Sequence, residues 1–301
     1  MTLPFAGNPL SCSDEIREDE AEIQKLRSQD SALFLPFFKL DTPITDAGEL
    51  FWIPGPIIQS VISDLGASIF LGIADDQSPR FAIDIGEELE TWPHIIPYRF
   101  QSVRSVASRL ADPRTSIVAQ ARSILKWISD HGFCSRCGSG NEVLFGGYRL
   151  RCTNETCGML QFPRIDPVVI MMITSRDDSK CLLGRSHSYP DRIISPLAGF
   201  MEPGEAIEDT VQREVSEEVG VKCTDIRFWG NQPWPFPSSL MLGCFATAMT
   251  DEIIVNHAEL EFADWFTRTQ LERIYNGAES NMIFPESISI SYHMMRAWMK
   301  Q

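Results

Sequence analysis

Apolar residues recur along this chain with two different periods, and the changes of period mark its parts. Between residues 105 and 129, Val106, Leu110, Ile117, Ala121, Leu125 and Ile128 return at intervals of three, four and seven. That is the spacing of one helical face, with Pro113 as an interruption or the opening of a new turn. The acidic, polar stretch 14–28 predicts a second helix. Short apolar and β-branched runs predict strands at 49–53, 68–73 and 80–85. Further along, 167–174 is a continuous apolar run and predicts a buried strand, with 180–185 as its hairpin partner. Residues 208–219 predict a helix, 240–247 a strand and 288–299 a C-terminal helix.

Between these two patterned halves lie about thirty residues, 132–162, too few to bury a core of their own. They hold four of the eight cysteines, as Cys134-Ser-Arg-Cys137, fourteen residues, then Cys152-Thr-Asn-Glu-Thr-Cys157. Two short cysteine loops bring four thiolates together around tetrahedral zinc without a large fold. Two disulfides or free thiols are the alternative. Four cysteine ligands leave no open coordination position, so such a zinc is structural. The remaining cysteines, Cys12, Cys181, Cys223 and Cys244, lie in apolar surroundings and predict small core residues. The chain thus divides at 1–130, 131–162 and 163–301. The five histidines (His94, His131, His187, His257 and His293) show no spacing suited to a triad or a metal.

The chain has 301 residues, 44% hydrophobic and 22% charged, which suits a globular protein with more than one core. Its formal net charge of −15 argues against broad nucleic-acid binding by counterion release. One nucleotide, or the end of an RNA, in a metal-loaded pocket stays compatible with that charge. No apolar run approaches the roughly 20 residues of a membrane-spanning helix. The first residues lack a basic region followed by an apolar core, and Met299-Lys300-Gln301 matches no sorting signal, so the cytoplasm is the expected compartment.

The strongest chemical signal lies in residues 199–221. Glu214, Glu217 and Glu218 stand at i, i+3 and i+4 and project to one side of a helix, beside the apolar stripe Val211, Val215 and Val219. Crowded carboxylates repel one another, and Arg213 offsets one charge. A hard divalent cation would relieve the rest, because Mg²⁺ favours oxygen ligands completed by substrate phosphates. A merely solvated acidic face is the alternative. Gly199 before the helix and Gly220 just past it frame the motif.

This stretch resembles the Nudix box: Gly199, Glu205, Arg213, Glu214, Val215, Glu217, Glu218, Gly220 and Val221 fill every defined position. The resemblance implies an α/β/α sandwich with a mixed sheet, here preceded by a four-cysteine zinc ribbon and an N-terminal α/β domain. It implies hydrolysis of a nucleoside diphosphate linked to another group, with Mg²⁺ or Mn²⁺ at Glu214, Glu217 and Glu218, and a supporting Glu205–Arg213 ion pair. Eleven residues after the box comes Gln232-Pro233-Trp234-Pro235-Phe236-Pro237-Ser238-Ser239. Rigid aromatic loops suit flat ligands, because little entropy is lost on binding. A surface polyproline loop or an aromatic core plug is the alternative.

Together with the ribbon, this loop resembles the NADH pyrophosphatase branch of the family, whose N-terminal domain often carries a Gly-Asn-Pro-Leu segment, as at Gly7 to Leu10. The branch implies cleavage of NADH or NAD⁺ into a mononucleotide and AMP, catalysed by Glu214, Glu217 and Glu218. By position it adds the Ala198 carbonyl and Glu259 to the catalytic metal site. It implies Gln232 to Ser239 as the pocket lining, with Ser291 near the last helix, and Phe162 and Phe200 as the adenine sandwich. Phe162 stands where tyrosine is frequent, Ser291 where alanine is usual, and Gly147 where relatives can be acidic. A homodimer is implied as well. The same site acting on RNA with a 5′ NAD cap is a second reading, and a zinc-ribbon interaction module on an inert Nudix scaffold is a third, of another class.

Overall fold

The structure, a computed structural model, describes residues 3–12, 14–62, 65–86, 95–110, 113–187, 192–278 and 281–301. His94, and residues 111–112 of the expected helix 105–129, lie outside the described residues. The chain forms two compact units, Met1–Ile165 with Pro233–Ser238, and Asp166–Gln232 with Ser239–Gln301.

In the first unit the acidic stretch forms two helices, α1 (Asp14–Glu18) and α2 (Glu20–Arg27). Asp19 divides them, because its carboxylate caps α2 by accepting from the Ala21 and Glu22 amides at 3.0 and 3.1 Å. A four-stranded sheet follows, built from β1 (Leu33–Phe37), β3 (Ile53–Pro54), β4 (Ile69–Ile73) and β5 (Pro79–Asp84), while β2 (Thr42–Pro43) pairs with β6 (Phe100–Gln101). The order is β3-β1-β5-β4, with β1 and β5 parallel and the outer pairs antiparallel. The expected strand 49–53 shrinks to β3. Its first residues make only an isolated bridge, Ile44 to Leu50. Phe34 and Phe81 stack at 5.2 Å in a core shared with Ile23, Ile53, Ile58 and Phe70.

Helix α3 (Gly55–Gln59) follows β3, and the long helical pattern resolves into α4 (Val103–Leu110) and α5 (Thr115–Asp130), with Pro113 between them. The cysteine segment is a three-stranded antiparallel sheet of β7 (Asn141–Leu144), β8 (Arg149–Cys152) and β9 (Leu160–Gln161).

The second unit is a mixed sheet between helices. Its strands are β10 (Asp166–Thr174), β11 (Lys180–Ser186), β12 (Leu197–Phe200), β13 (Cys223–Trp234), β14 (Ser239–Ala248) and β15 (Leu260–Thr267). The order is β13-β14-β10-β11-β15, with β12 also paired to β10; β10 and β14 run parallel, and β11 and β12 lie antiparallel to β10. Helix α6 (Ile207–Val219) buries Val211, Val215 and Val219 against Val169, Met171, Ile173, Cys244 and Ala246, alternate residues on one face of the sheet. Helix α7 (Arg268–Tyr275) follows β15, and α8 (Ile290–Met299) covers the opposite face. A Cβ on Gly243 would lie 3.0 Å from both Ile290 and Met294, so glycine there lets α8 approach. Trp298, fully buried, donates its indole N–H to Asp178 at 2.8 Å. No helix among the described residues is long and apolar enough to cross a membrane.

Candidate active site

The valine stripe sets how α6 is rotated. With those side chains against the sheet, Glu214 and Glu218 are drawn down with them, to 8% and 6% exposed, while Glu217 stays exposed. Arg213 is the hub of the acidic face. It donates to Glu205 through Nε at 2.6 Å and Nη2 at 2.9 Å, to Glu214 at 2.8 Å and to Glu217 at 3.2 Å. The same guanidinium donates to the Phe200 carbonyl at 2.8 Å, which ties the helix to the end of β12. Arg213, the Glu202 amide and the Thr210 hydroxyl together hold the Glu205 pKa down to about 2. Helix α6 ends on Gly220 in the left-handed region, φ 71°.

Glu218 is the strained member. Its Oε2 is buried without a hydrogen-bond donor. Burial first, then the charges of Glu214, Glu259 and Glu217, push its pKa up to about 8. Burial also raises the pKa of Glu214, against the pull of Arg213. Glu259 lies on the loop before β15, and Asn256 brings it to the helix. The Asn256 amide N–H donates to the Glu218 carbonyl at 2.8 Å, and its side chain donates to Glu259 at 3.0 Å. Nothing in the residue pattern had marked Asn256. Ala198 lies on β12 opposite Ile170, one residue before Gly199, and a Cβ on Gly199 would overlap the Glu214 carboxyl group. Glycine is therefore a steric requirement where β12 meets α6. A buried acceptor without a donor, amid hard oxygen donors, fits a divalent cation of the Mg²⁺ or Mn²⁺ kind. Among the described residues, no three of these carboxylates have oxygens all within 4.8 Å of one another.

The four cysteines do close up. Their sulfurs lie within 4.8 Å of one another, with Cys134 and Cys157 at 3.8 Å and Cys137 and Cys152 at 3.4 Å, and none is disulfide-bonded. A tetrahedron with Zn–S of about 2.3 Å has edges of about 3.8 Å, so the cluster fits a zinc ribbon. Hydrogen bonds from Ser139 lower the Cys137 pKa to about 6, whereas burial pushes Cys152 up to about 12. His131 bonds to the Trp127 carbonyl through Nδ1.

The aromatic–proline residues are divided between the units. Gln232 belongs to the second, is fully buried, and spends both ends of its amide on backbone, donating to the Ile288 carbonyl at 2.8 Å and accepting from the Ile290 amide at 2.7 Å. It braces the entry to α8. Ser291 is also buried, 3.2 Å from the Ser195 hydroxyl. Pro233–Ser238 belongs to the first unit. Within it, Trp234 and Phe236 meet edge to face at 5.1 Å. Pro235 is buried and Pro237 exposed, and Ser238 and Ser239 are half-buried. Phe162, in the first unit, and Phe200, in the second, each keep 60% of their surface in solvent. Rings that exposed are available to a flat ligand.

Comparison with known proteins identifies two domain families in the chain. The NUDIX domain matches residues 164–284, and the NADH pyrophosphatase-like rudimentary NUDIX domain matches residues 31–127. The chain is 36% identical to the NAD-capped RNA hydrolase of Schizosaccharomyces pombe, over 98% of this chain and 92% of that one. It is 30% identical to the mitochondrial NAD(P)H pyrophosphatase NUDT13 of Mus musculus, over 95% and 89%. With the NAD-capped RNA hydrolase NUDT12 of Macaca fascicularis it shares 44% identity over 64% of its own length, and it spans only 43% of that relative.

Proposed function

The chain belongs to the Nudix hydrolase family, and on that premise we propose that it hydrolyses the pyrophosphate bond of NADH or NAD⁺, releasing AMP and the nicotinamide mononucleotide. The observation that carries this reading is the donorless Glu218 oxygen among Glu214, Glu217 and Glu259, beside a glycine that admits no side chain. These four carboxylates and the Ala198 carbonyl would hold the catalytic Mg²⁺ or Mn²⁺. When bound, the cation neutralises charge on the breaking P–O bond and acidifies water. The chain's own groups do the remainder. Arg213 keeps Glu214 and Glu217 aligned on one face. A carboxylate of the Glu217–Glu218 pair orients the attacking water and accepts its proton. Phe162 and Phe200 each present an exposed ring of the kind that stacks on an adenine.

The four cysteines would hold a structural zinc. Four cysteines spaced for zinc rather than paired as disulfides suit a reducing compartment, which supports the cytoplasm, and the reading includes a homodimer. Sedimentation velocity and cell fractionation test these last two points.

Incubation with NADH and Mg²⁺, followed by mass spectrometry, should yield AMP and reduced nicotinamide mononucleotide in equal amounts. Glu218→Gln should lower kcat/KM by at least about a hundredfold. Wild-type turnover by a folded Glu218→Gln protein would overturn the assignment. A second reading, removal of an NAD cap from RNA, is supported by the names of the yeast and macaque relatives. Under it, kcat/KM for NAD-capped RNA exceeds that for free NADH.

A further inference from the structure

The last carbonyls of a helix have no donors within it. At the end of α6 the loop 251–259 supplies two donors from outside. The Ile254 N–H donates to the Val219 carbonyl and the Asn256 N–H to the Glu218 carbonyl, both at 2.8 Å. The Gly220 N–H donates to the Ser216 carbonyl at 3.0 Å. Ile253 and Val255 pack against the core that holds the valine stripe, and the Trp265 indole N–H donates to the Asp251 carbonyl at 2.9 Å. The backbone of this loop is thus fixed to the helix that carries Glu218, within the second unit alone.

The side chain of Asn256 works from that fixed point. Its Oδ1 accepts from the Ala258 N–H at 3.1 Å, and its Nδ2 donates to the Glu259 carboxylate at 3.0 Å. A backbone donor on one side and a carboxylate on the other leave the amide one orientation. The Asn256 carbonyl accepts from the Glu259 and Leu260 N–H groups at 3.1 and 3.0 Å, which closes the turn. Glu259 is exposed, and an exposed glutamate otherwise samples many rotamers. Its charge acts on both Glu214 and Glu218. Holding a third carboxylate near two others opposes folding, so the contact points to a cation that offsets the repulsion.

We propose that Asn256 is a positioning residue: anchored on the Glu218 carbonyl, it presents the Glu259 carboxylate to the same divalent cation that Glu218 meets. This rests on the reading that Glu218 and Glu259 hold that cation. One residue then ties the main chain of one carboxylate to the side chain of the other, so their separation is decided at folding. Metal binding need not freeze Glu259 out of an open set of rotamers, and affinity rises accordingly.

The test uses the full chain, freed of loosely bound divalent cations by gel filtration. Mn²⁺ binding is read without substrate, from the electron paramagnetic resonance of the free ion. Asn256→Ser keeps a hydroxyl that accepts from Ala258 but is too short to reach Glu259. It should raise the Mn²⁺ dissociation constant about tenfold, the usual cost of losing a group that orients a metal ligand. The Mg²⁺ concentration for half-activation of NADH hydrolysis should rise by the same factor, with kcat at saturating Mg²⁺ within about threefold. Glu259→Gln should weaken Mn²⁺ binding at least as much, and in that background Asn256→Ser should add less than about twofold. If Asn256→Ser binds Mn²⁺ like the wild type while Glu259→Gln binds it weakly, the positioning role falls and the metal site stands. Full additivity of the two changes also overturns the role, because Asn256 then acts by another route. If Glu259→Gln binds Mn²⁺ like the wild type, Glu259 is not a ligand and both readings fall. If the serine variant fails to fold, the Asn256 side-chain amide resonances of ¹⁵N-labelled protein decide. They should move in Glu259→Gln and on addition of Mg²⁺ to the wild type, and resonances unmoved by either overturn the proposal.

Discussion

Four cysteines in one unit and four glutamates in the other both gather donor atoms, but they are held by different forces. The thiols ride on two backbone knuckles and a hairpin, where Gly138 donates to the Cys134 carbonyl at 2.9 Å and Cys152 donates to the Met159 carbonyl at 2.9 Å. Their sulfurs reach 3.4 and 3.8 Å because the backbone places them there. The carboxylates instead hang from one helix and one loop, and charge decides where they rest. Arg213 draws three of its neighbours to itself, and Glu218 is pressed inward without a donor. A cluster set by backbone geometry is finished at folding, and losing one ligand undoes all of it. A cluster set by charge can be retuned by protons, cations and substrate while the fold persists.

The largest effect that could break this comparison is removal of one thiol. Cys134→Ser should reduce bound zinc from about one per chain to near none by elemental analysis, and lower the melting temperature by more than about 10 °C, since closed zinc sites contribute folding energy directly. Glu217→Gln, at an exposed position on α6, should move melting by less than about 2 °C while impairing turnover. Equal melting shifts in the two variants would erase the distinction.

A smaller effect probes the point where charge meets geometry. Gly199→Ala places a methyl group on the Glu214 carboxylate, so β12 must move or Glu214 must turn. The expected cost is about 1–3 kcal/mol in urea denaturation, as for other overpacked sites, together with a loss of about tenfold or more in NADH turnover. Near-native turnover would show that Glu214 does not depend on this contact.

What the residue pattern revealed follows the same division. The cysteine spacing and the i, i+3, i+4 glutamates are local, so both clusters were legible before any coordinates, as were β10, β11, β14, α6 and α8 to within two residues. Segments whose character depends on distant partners were not. β1 reads poorly as a strand because Pro36 interrupts it and both faces are apolar, yet pairing with β5 makes it interior. β15 alternates, but Glu261 and Asp264 dilute the pattern of a strand that lies at the sheet's edge, beside β11, among the described residues. β13 mixes exposed Arg227, Phe228 and Asn231. The attachment of 233–238 to the first unit turns on contacts with Phe5, Arg104 and Arg122, which no local spacing links to the loop. The amide of Gln232 completes the start of α8, at Ile288 and Ile290, and no local spacing shows that link.

The smallest effect gives the sharpest comparison, because it reads charge alone. In metal-free protein Glu218 has a pKa raised to about 8, above the roughly 4.3 of an unfolded glutamate. The folded state then binds more protons than the unfolded state between these values, so stability must fall as pH rises through that window. Below about pH 4 the penalty from this group is absent, and above about pH 8 it is complete. In EDTA, melting temperature should therefore fall by a few degrees between pH 5 and pH 8, beyond the trend of Glu218→Gln, whose neutral amide cannot titrate. At pH 8 the Glu218→Gln protein should melt above the wild type without metal, and Mg²⁺ should raise the wild type more than the variant. The cysteine cluster is the same in both proteins, so the difference isolates the carboxylates. Parallel pH profiles for wild type and variant would mean that Glu218 is not charge-strained, and that the two clusters are held alike.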